Sequence, residues 1–410
     1  MRIGIVTTWF ERGAAYVSKQ YKELLEENNE IFIFARGGES YAKGDDNWDE
    51  ENVFWSKKLY SPFSVFVIDK KEFVKWLKRN KIQLVLFNEQ RWYMPLIWCK
   101  ELNVKTVAYI DYYKENEIHL FNSYDGLICN TKRHYSVFKN HRNSIYIPWG
   151  TNVGVFNKLK NKQIQEKISF FHSCGMSPYR KGTDLIINAF SKINKPFKLV
   201  IHSQVEIRSA FPNLEREIDK MENEGKLEII EESVKWPGLY HLGDVYVYPS
   251  RLDGIGLSLI EAIAAGLAII TTKNPPMSEF VNGNGELVEV AKYTSRFDGY
   301  YWPYSHVSIE SLIEKVEFMI DNKSIVHRYK EKSSELALHN FNWSNNKKKL
   351  ESFLSRTLNL NCENDDMNIR NIIKYENEGF KYLNKYVVKY QSIFQFCKGV
   401  IFKFKSRLWN

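Results

Sequence analysis

Short runs of β-branched and aromatic residues alternate along the chain with longer stretches whose apolar positions recur every three or four residues. Residues 2–6, 30–35, 83–87, 106–110, 126–129 and 144–148 read as strands, and residues 14–27, 71–78 and 131–139 between them as helices. The alternation resumes with strands at 168–174, 197–201, 227–230, 244–249 and 268–272 and helices at 183–193 and 257–265. Helical spacing then takes over across 309–320, 325–338 and a stretch ending near 358. Strands that alternate with helices build parallel sheets, so the pattern predicts an α/β protein of two Rossmann-like, doubly wound domains.

One stretch, residues 245–288, organises the rest. Asp244-Val-Tyr-Val-Tyr-Pro249 ends in a proline that cannot continue a ladder, which stops a buried strand there. Ser250-Arg-Leu-Asp-Gly-Ile-Gly256 makes the turn, and the good helix formers of residues 257–265 follow, closed by Gly266 in position for a left-handed cap. Such a turn offers backbone N–H groups and the positive end of a helix dipole to an anion. Asp253 lies in the turn and Glu261 two helical turns further on, at about 3.6 residues per turn, so both carboxylates can face one cleft. Amides suit a diphosphate and carboxylates suit hydroxyls; a sugar nucleotide has both.

In the first half, the strand–loop–helix opening lacks Gly-x-Gly-x-x-Gly, which argues against a dinucleotide cofactor. Arg12 and Gly13 sit in a loop that either meets a ligand or is a plain surface turn. The strands at 83–87 and 106–110 run into Glu89 and Asp111. Ligands of open α/β sheets bind beyond the carboxyl ends of strands, which puts these acids at the mouth of the first domain. There they hold acceptor hydroxyls, act as a base, or are solvated loop carboxylates. Asn130-Thr-Lys-Arg-His134 gathers three potential cations where a helix dipole favours anions, pointing to a bound anion, a negative partner or a solvated basic face.

With 410 residues, 44% hydrophobic and 15% aromatic, the chain has material for two cores and a tail. The five scattered cysteines form neither zinc-site pairs nor a disulfide framework, which fits a reducing cytoplasm. The apolar run at 2–6 is too short for a signal peptide, and no segment approaches the roughly 20 apolar residues that span a bilayer. A net charge of +9 favours polyanionic neighbours: nucleic acid, an anionic membrane or a nucleotide diphosphate. No Asp-x-Asp motif is present, so no metal is expected.

Taken together, Pro249-Ser250, Asp253-Gly-Ile-Gly-Leu257, Glu261-Ala-Ile-Ala-Ala-Gly266 and the later Glu279 resemble the signature of the family 4 retaining glycosyltransferases of GT-B fold, with Asp253 where glutamate is usual. The resemblance covers the C-terminal half well and the N-terminal half loosely. It implies an acceptor-side domain over residues 1–156 and a nucleotide-sugar domain over 165–340, facing across a cleft. A helix over 341–358 then crosses back to the first domain, and 359–410 are linker and tail. Donor contacts are implied for Gly13, Arg180, Lys181, Asp253, Gly254, Ile255, Gly256, Leu257 and Glu261. Lys181 and the amides of Gly256 and Leu257 take the diphosphate, Glu261 the ribose hydroxyls, and Asp253 with the amides of Gly254 and Ile255 the transferred sugar. Asp253, Lys181, Glu89 and Asp111 are the catalytic candidates. Met176 stands where the family usually has arginine, and Ile110 and Asp111 occupy the region of a common histidine.

The reaction implied is retaining, metal-independent transfer of a hexose from a nucleotide-diphosphate sugar to a glycan or lipid-linked acceptor in cell-surface polysaccharide or glycoconjugate synthesis. The sugar nucleotide is a co-substrate and no further cofactor is expected. A sugar-nucleotide epimerase or phosphorylase of the same fold is one alternative. A non-enzymatic basic nucleic-acid binder is another, without a nucleic-acid motif to support it. The aromatic-rich residues 296–304 are either a stacking platform for a sugar or a packed loop. From 374 onward Leu383, Tyr386, Tyr390, Ile393, Cys397, Val400, Phe404 and Leu408 recur at helical spacing, with Lys381, Lys385 and Lys389 on another face. Such a basic amphipathic helix suits an anionic leaflet, at the inner face of the cell membrane, or the protein's own first domain.

Overall fold

The computed structural model describes residues 1–37, 41–57, 66–160, 166–361 and 366–379. Within them the strand-forming runs become two parallel sheets. The first contains β1 (Arg2–Thr7), β2 (Glu30–Ala35), β3 (Val53–Trp55), β4 (Leu84–Asn88), β5 (Lys105–Ile110), β6 (Gly126–Cys129) and β7 (Ser144–Tyr146), in the order β3-β2-β1-β4-β5-β6-β7. The second contains β8 (Ser169–Gly175), β9 (Lys198–Ser203), β10 (Leu227–Glu231), β11 (Val245–Tyr248), β12 (Ala268–Thr272) and β13 (Gly285–Val288), in the order β10-β9-β8-β11-β12-β13. Helices cover both faces, which is why these runs show no polar alternation: every residue of β4, β5, β6, β11 and β12 is buried.

Each sheet is doubly wound, and its strand order reverses once, between β1 and β4 in the first and between β8 and β11 in the second. At such a reversal the loops leaving two neighbouring strands part to opposite faces and open a crevice. The first crevice is bounded by residues 8–13 and 89–91, the second by 176–182 and 249–256. The two sets of strand ends meet: Gly13, opening the helix Gly13–Leu25, stands against Leu257, opening the helix Leu257–Ala264. Apolar packing continues between the sheets from Ile5 and Trp149 through Phe156, Ile255 and Leu259 to Tyr246.

After the second sheet the chain returns to the first. Trp343 lies 5.4 Å from the ring of Tyr21 and 4.6 Å from that of Trp149, and its indole donates to the Gln20 carbonyl. The helix Lys347–Leu358 follows, with the Thr357 hydroxyl accepting from Asn143 at 2.9 Å. The helix Asp366–Gly379 packs there too: Ile372 is buried, Tyr375 donates to Glu117 at 2.7 Å and Glu376 accepts the Tyr93 amide at 2.8 Å. The basic amphipathic pattern beyond it, residues 380–410, lies outside the described residues. Among the described residues no helix is long and apolar enough to cross a membrane.

Two features escape the periodicity. β3 is a three-residue edge strand, too short to show a period. Residues 290–307 hold an antiparallel hairpin, β14 (Val290–Thr294) and β15 (Tyr304–Val307), where hydrophobicity marks only an aromatic loop. β14 has no buried face to reveal it, since residues 291–294 are all exposed.

Candidate active site

The loop after β11 carries Asp253. Gly256 has φ of 71°, in the left-handed region where a side chain is strained, and it lets the helix Leu257–Ala264 start directly from the turn. The amides of Gly254, Ile255, Leu257 and Ser258 find no acceptor among the described residues. The Gly256 amide, expected on a diphosphate, instead donates to Asp253 Oδ1 at 3.3 Å. Four free donors at one helix start, with the dipole behind them, make a seat for negative charge.

Across the crevice, Pro178–Lys181 forms a single helical turn ended by Gly182, where the sequence pattern shows only a turn. Lys181 Nζ lies 2.5 Å from Asp253 Oδ2, and the Tyr248 hydroxyl contacts both. Arg180 stands 3.8 Å from the same carboxylate and donates to the Leu252 carbonyl at 2.9 Å. Two cations and one carboxylate leave a net positive charge beside the free amides. Burial pulls the Lys181 ammonium down to about 8, with Asp253 opposing that fall. Burial raises Asp253, but Lys181 and Arg180 overcome it and hold the carboxyl well below the usual range. Glu261 stands apart from this cluster and accepts the Tyr240 hydroxyl at 2.6 Å. Burial pushes it up to about 7, more than Tyr240 and Lys181 lower it.

The opposite wall comes from the first domain. Glu89 adopts φ of 50°, uncommon for a residue with a side chain, just beyond the end of β4. Arg36 fixes that backbone by donating to the carbonyls of Asn88 and Glu89 at 3.2 and 2.9 Å, and Arg12 pairs with the Glu89 carboxylate at 3.3 Å. Asp111 shares a hydrogen bond with Glu89. Its carboxyl also abuts the Asp253 loop: a Cβ on Gly254 would overlap Oδ1 and lie 3.0 Å from Cγ. Burial first, and then the charge of Glu89, push Asp111 well above the carboxylate range, which favours its protonated form. The cleft thus brings Asp111, Glu89, Asp253, Lys181 and Arg180 into one place, with Gly13 facing Leu257 at its edge.

The sequence marked Asn130–His134, Glu279 and residues 296–304 one by one, but not that they join the two walls. The helix Lys132–Phe138 has its negative partner in Glu279 of the other domain, whose carboxylate accepts the amides of Lys132 at 2.6 Å and Arg133 at 2.8 Å. Arg133 and His134 are buried, which corrects the reading of that segment as a solvated basic face. Arg133 donates to the Asp253 carbonyl at 2.9 Å and to that of Pro275, and His134 Nε2 lies 3.1 Å from the Gly254 carbonyl. Within residues 296–304, Tyr300 is buried, stacks on Tyr112 at 4.6 Å and donates to the Asp111 carbonyl at 3.0 Å, whereas Phe297 and Tyr301 are exposed. The signal for the Glu279 contact was the crowd of cations at a helix start without an acidic cap. Among the described residues no three His, Cys, Asp or Glu side chains gather into a metal-holding set.

Residues 156–336 match the family model of the group 1 glycosyl transferases. That span includes Arg180, Lys181, the Asp253 loop, Glu261 and Glu279, whereas Gly13, Glu89, Asp111, Arg133 and His134 lie outside it. A similar curated protein is the lipopolysaccharide core biosynthesis mannosyltransferase LpsB of Rhizobium meliloti (strain 1021), 29% identical over 118 residues. The match takes in 27% of this chain and 33% of LpsB, about a third of that relative's length. A glycosyltransferase from Rickettsia africae ESF-5 superposes with a TM-score of 0.69 at 16% identity, over 88% of this chain and 99% of the other. Anabaena HepE, solved in complex with UDP and glucose, does so with a TM-score of 0.65 at 14% identity, over 87% and 100%. Likeness at that identity speaks for the fold, and the fold is GT-B. The group 1 match and LpsB support a glycosyltransferase.

Proposed function

We propose that this protein moves a hexose from a nucleotide-diphosphate sugar to a glycan or lipid-linked acceptor, as a retaining, metal-independent enzyme of family 4, in the synthesis of a cell-surface polysaccharide or glycoconjugate. The observation that carries the reading is the set of free amides at Gly254, Ile255, Leu257 and Ser258 beside the Lys181–Arg180–Asp253 cluster, at the β8/β11 reversal. The names of LpsB, a mannosyltransferase, and of HepE, solved with UDP and glucose, agree with it.

As the bond from the anomeric carbon to the diphosphate oxygen breaks, its electron pair leaves with the phosphate. Negative charge then grows where the Leu257 and Ser258 amides, the helix dipole and the Lys181 ammonium are already set, so no reorganisation is needed at that moment. The acceptor oxygen bonds to the same face of the anomeric carbon, and its proton passes to the departing phosphate oxygen. Ionised Glu261 receives the ribose hydroxyls. Asp253 and the amides of Gly254 and Ile255 hold the transferred sugar. On the facing wall Asp111, protonated, donates to an acceptor oxygen, and Glu89 accepts from an acceptor hydroxyl. A lipid-linked acceptor would bring the protein to the inner face of the membrane, with residues 374–410 as its basic contact.

Thermal shift against a panel of nucleotide-diphosphate sugars tests the donor, because a ligand of the folded state at a hundred times its Kd adds about 2.7 kcal/mol. One sugar nucleotide should raise the melting temperature, and Lys181→Ala should lower turnover by roughly 10²–10³ with a smaller loss of donor affinity. Absence of any stabilising donor, or native turnover in that variant, refutes the reading. A new sugar nucleotide formed without acceptor identifies an epimerase instead.

A further inference from the structure

We propose that His134, together with Arg133, positions the donor loop from behind: the two side chains hold consecutive peptide planes so that the Gly254 and Ile255 amides are aimed at the transferred sugar only while the domains are closed. The inference rests on the donor reading above.

Hydrogen-bond polarity fixes the chain of contacts. The Trp302 indole can only donate, and it donates to the Tyr113 hydroxyl at 2.7 Å. The hydroxyl's own proton is then available to His134 Nδ1, 3.2 Å away. With Nδ1 accepting, the proton of the neutral imidazole sits on Nε2, which donates to the Gly254 carbonyl at 3.1 Å. One residue earlier in both segments, Arg133 donates to the Asp253 carbonyl at 2.9 Å. In a planar trans peptide the N–H points opposite the carbonyl. Holding the carbonyls of Asp253 and Gly254 toward the helix Lys132–Phe138 therefore turns the amides of Gly254 and Ile255 away from it. Those are two of the four amides without an acceptor among the described residues.

Trp302, Asp253 and Gly254 belong to the second domain; Tyr113, Arg133 and His134 belong to the first. The relay crosses the gap twice, so it exists only when the lobes are together. His134 has no part in bond making. It is a positioning residue that acts through the Gly254 peptide.

Isothermal titration of the full chain tests this with two pairs of probes, UDP-glucose with UDP and GDP-mannose with GDP, against native protein, His134→Phe and His134→Gln. For the pair the native protein binds, His134→Phe should keep the bare diphosphate within about threefold and lose about tenfold for the sugar conjugate, the size expected when a buried carbonyl loses its donor. His134→Gln should restore most of that loss, because a carboxamide can accept from Tyr113 and donate to Gly254 at once. Tyr113→Phe, which keeps the imidazole and removes its orienting hydroxyl, should show a smaller loss with the same preference, and it serves if His134→Phe does not fold. Equal losses for diphosphate and conjugate, no loss at all, or failure of His134→Gln to rescue would overturn the positioning role. If the native protein binds neither pair and no other sugar nucleotide of the panel stabilises it, the donor reading itself fails, and the inference with it.

Discussion

Replacing Gly254 by alanine challenges the closed cleft with one methyl group. The backbone there lies outside the left-handed region, so alanine brings no local strain. The clash is with the other domain: the new Cβ would overlap Asp111 Oδ1, lie 3.0 Å from its Cγ and 3.5 Å from its Oδ2. Asp111 can swing aside and give up its hydrogen bond with Glu89, which costs about 1–3 kcal/mol for a group in that setting. Alternatively the lobes part by on the order of 1 Å, a misplacement that can lower turnover 10²-fold. Either cost falls on closure and not on the folding of either sheet. We therefore expect Gly254→Ala to melt close to native and to lose roughly five- to 150-fold in turnover, the range that 1–3 kcal/mol corresponds to. Steady-state transfer with the donor found in the panel reads the loss, and small-angle scattering with and without that donor reads closure. Gly254→Ala/Asp111→Ala should recover the native scattering profile without recovering turnover. Native turnover and native closure in the single variant would refute the placement of Asp111 against the donor loop.

Glu261, pushed up to about 7 by burial, should make donor affinity depend on pH, since ribose hydroxyls donate to its ionised form. Affinity should weaken by roughly tenfold as pH falls from 8 to 6 and the slope should vanish in Glu261→Gln; a flat native profile would reject the ribose contact. The same shift acts on stability with the opposite sign. The folded acid constant lies above the ordinary 4.5, so the contribution is full below that value and is lost as pH rises through about 7. Differential scanning calorimetry should accordingly show Glu261→Gln gaining on the native protein between pH 5 and pH 8. Glu279→Ala leaves two helix-start amides without their acceptor, worth about 1–2 kcal/mol, and the loss should appear as weaker donor-induced closure in scattering with little change in far-ultraviolet circular dichroism. Native closure in that variant would show that the helix start does not hold the lobes together.

The local geometry of the loops after β8 and β11 was legible in the sequence because each residue type there has one local use. Pro249 ends a strand, Gly256 takes a positive φ, and Lys181 precedes a glycine at a helix start. Even the contact of Lys181 with Asp253, 72 residues apart, follows from topology, since the loops leaving β8 and β11 are neighbours at the strand reversal. The coupling between the lobes was not legible, and the reason is physical. Periodicity reports which face of an element is buried, not what docks on it, so β14 and the residues around Tyr300 read as a bare aromatic loop. Arg133 and His134 looked like surplus cations because Glu279, which answers their helix start, lies 147 residues from Lys132, in a short helical turn between β12 and β13.

Charge pairs can at least be guessed from residue identities, but several contacts that join the two walls end on backbone carbonyls. Arg133 reaches the carbonyl of Asp253, His134 that of Gly254, and Tyr300 that of Asp111. Every residue supplies a carbonyl, so such an acceptor leaves no mark in the sequence. Asp253, Gly254 and Asp111 draw attention for their side chains, or for the lack of one, whereas their peptide groups carry the joint. A site whose chemistry is written in side chains can therefore be read from the chain, while the closure that completes it needs the fold.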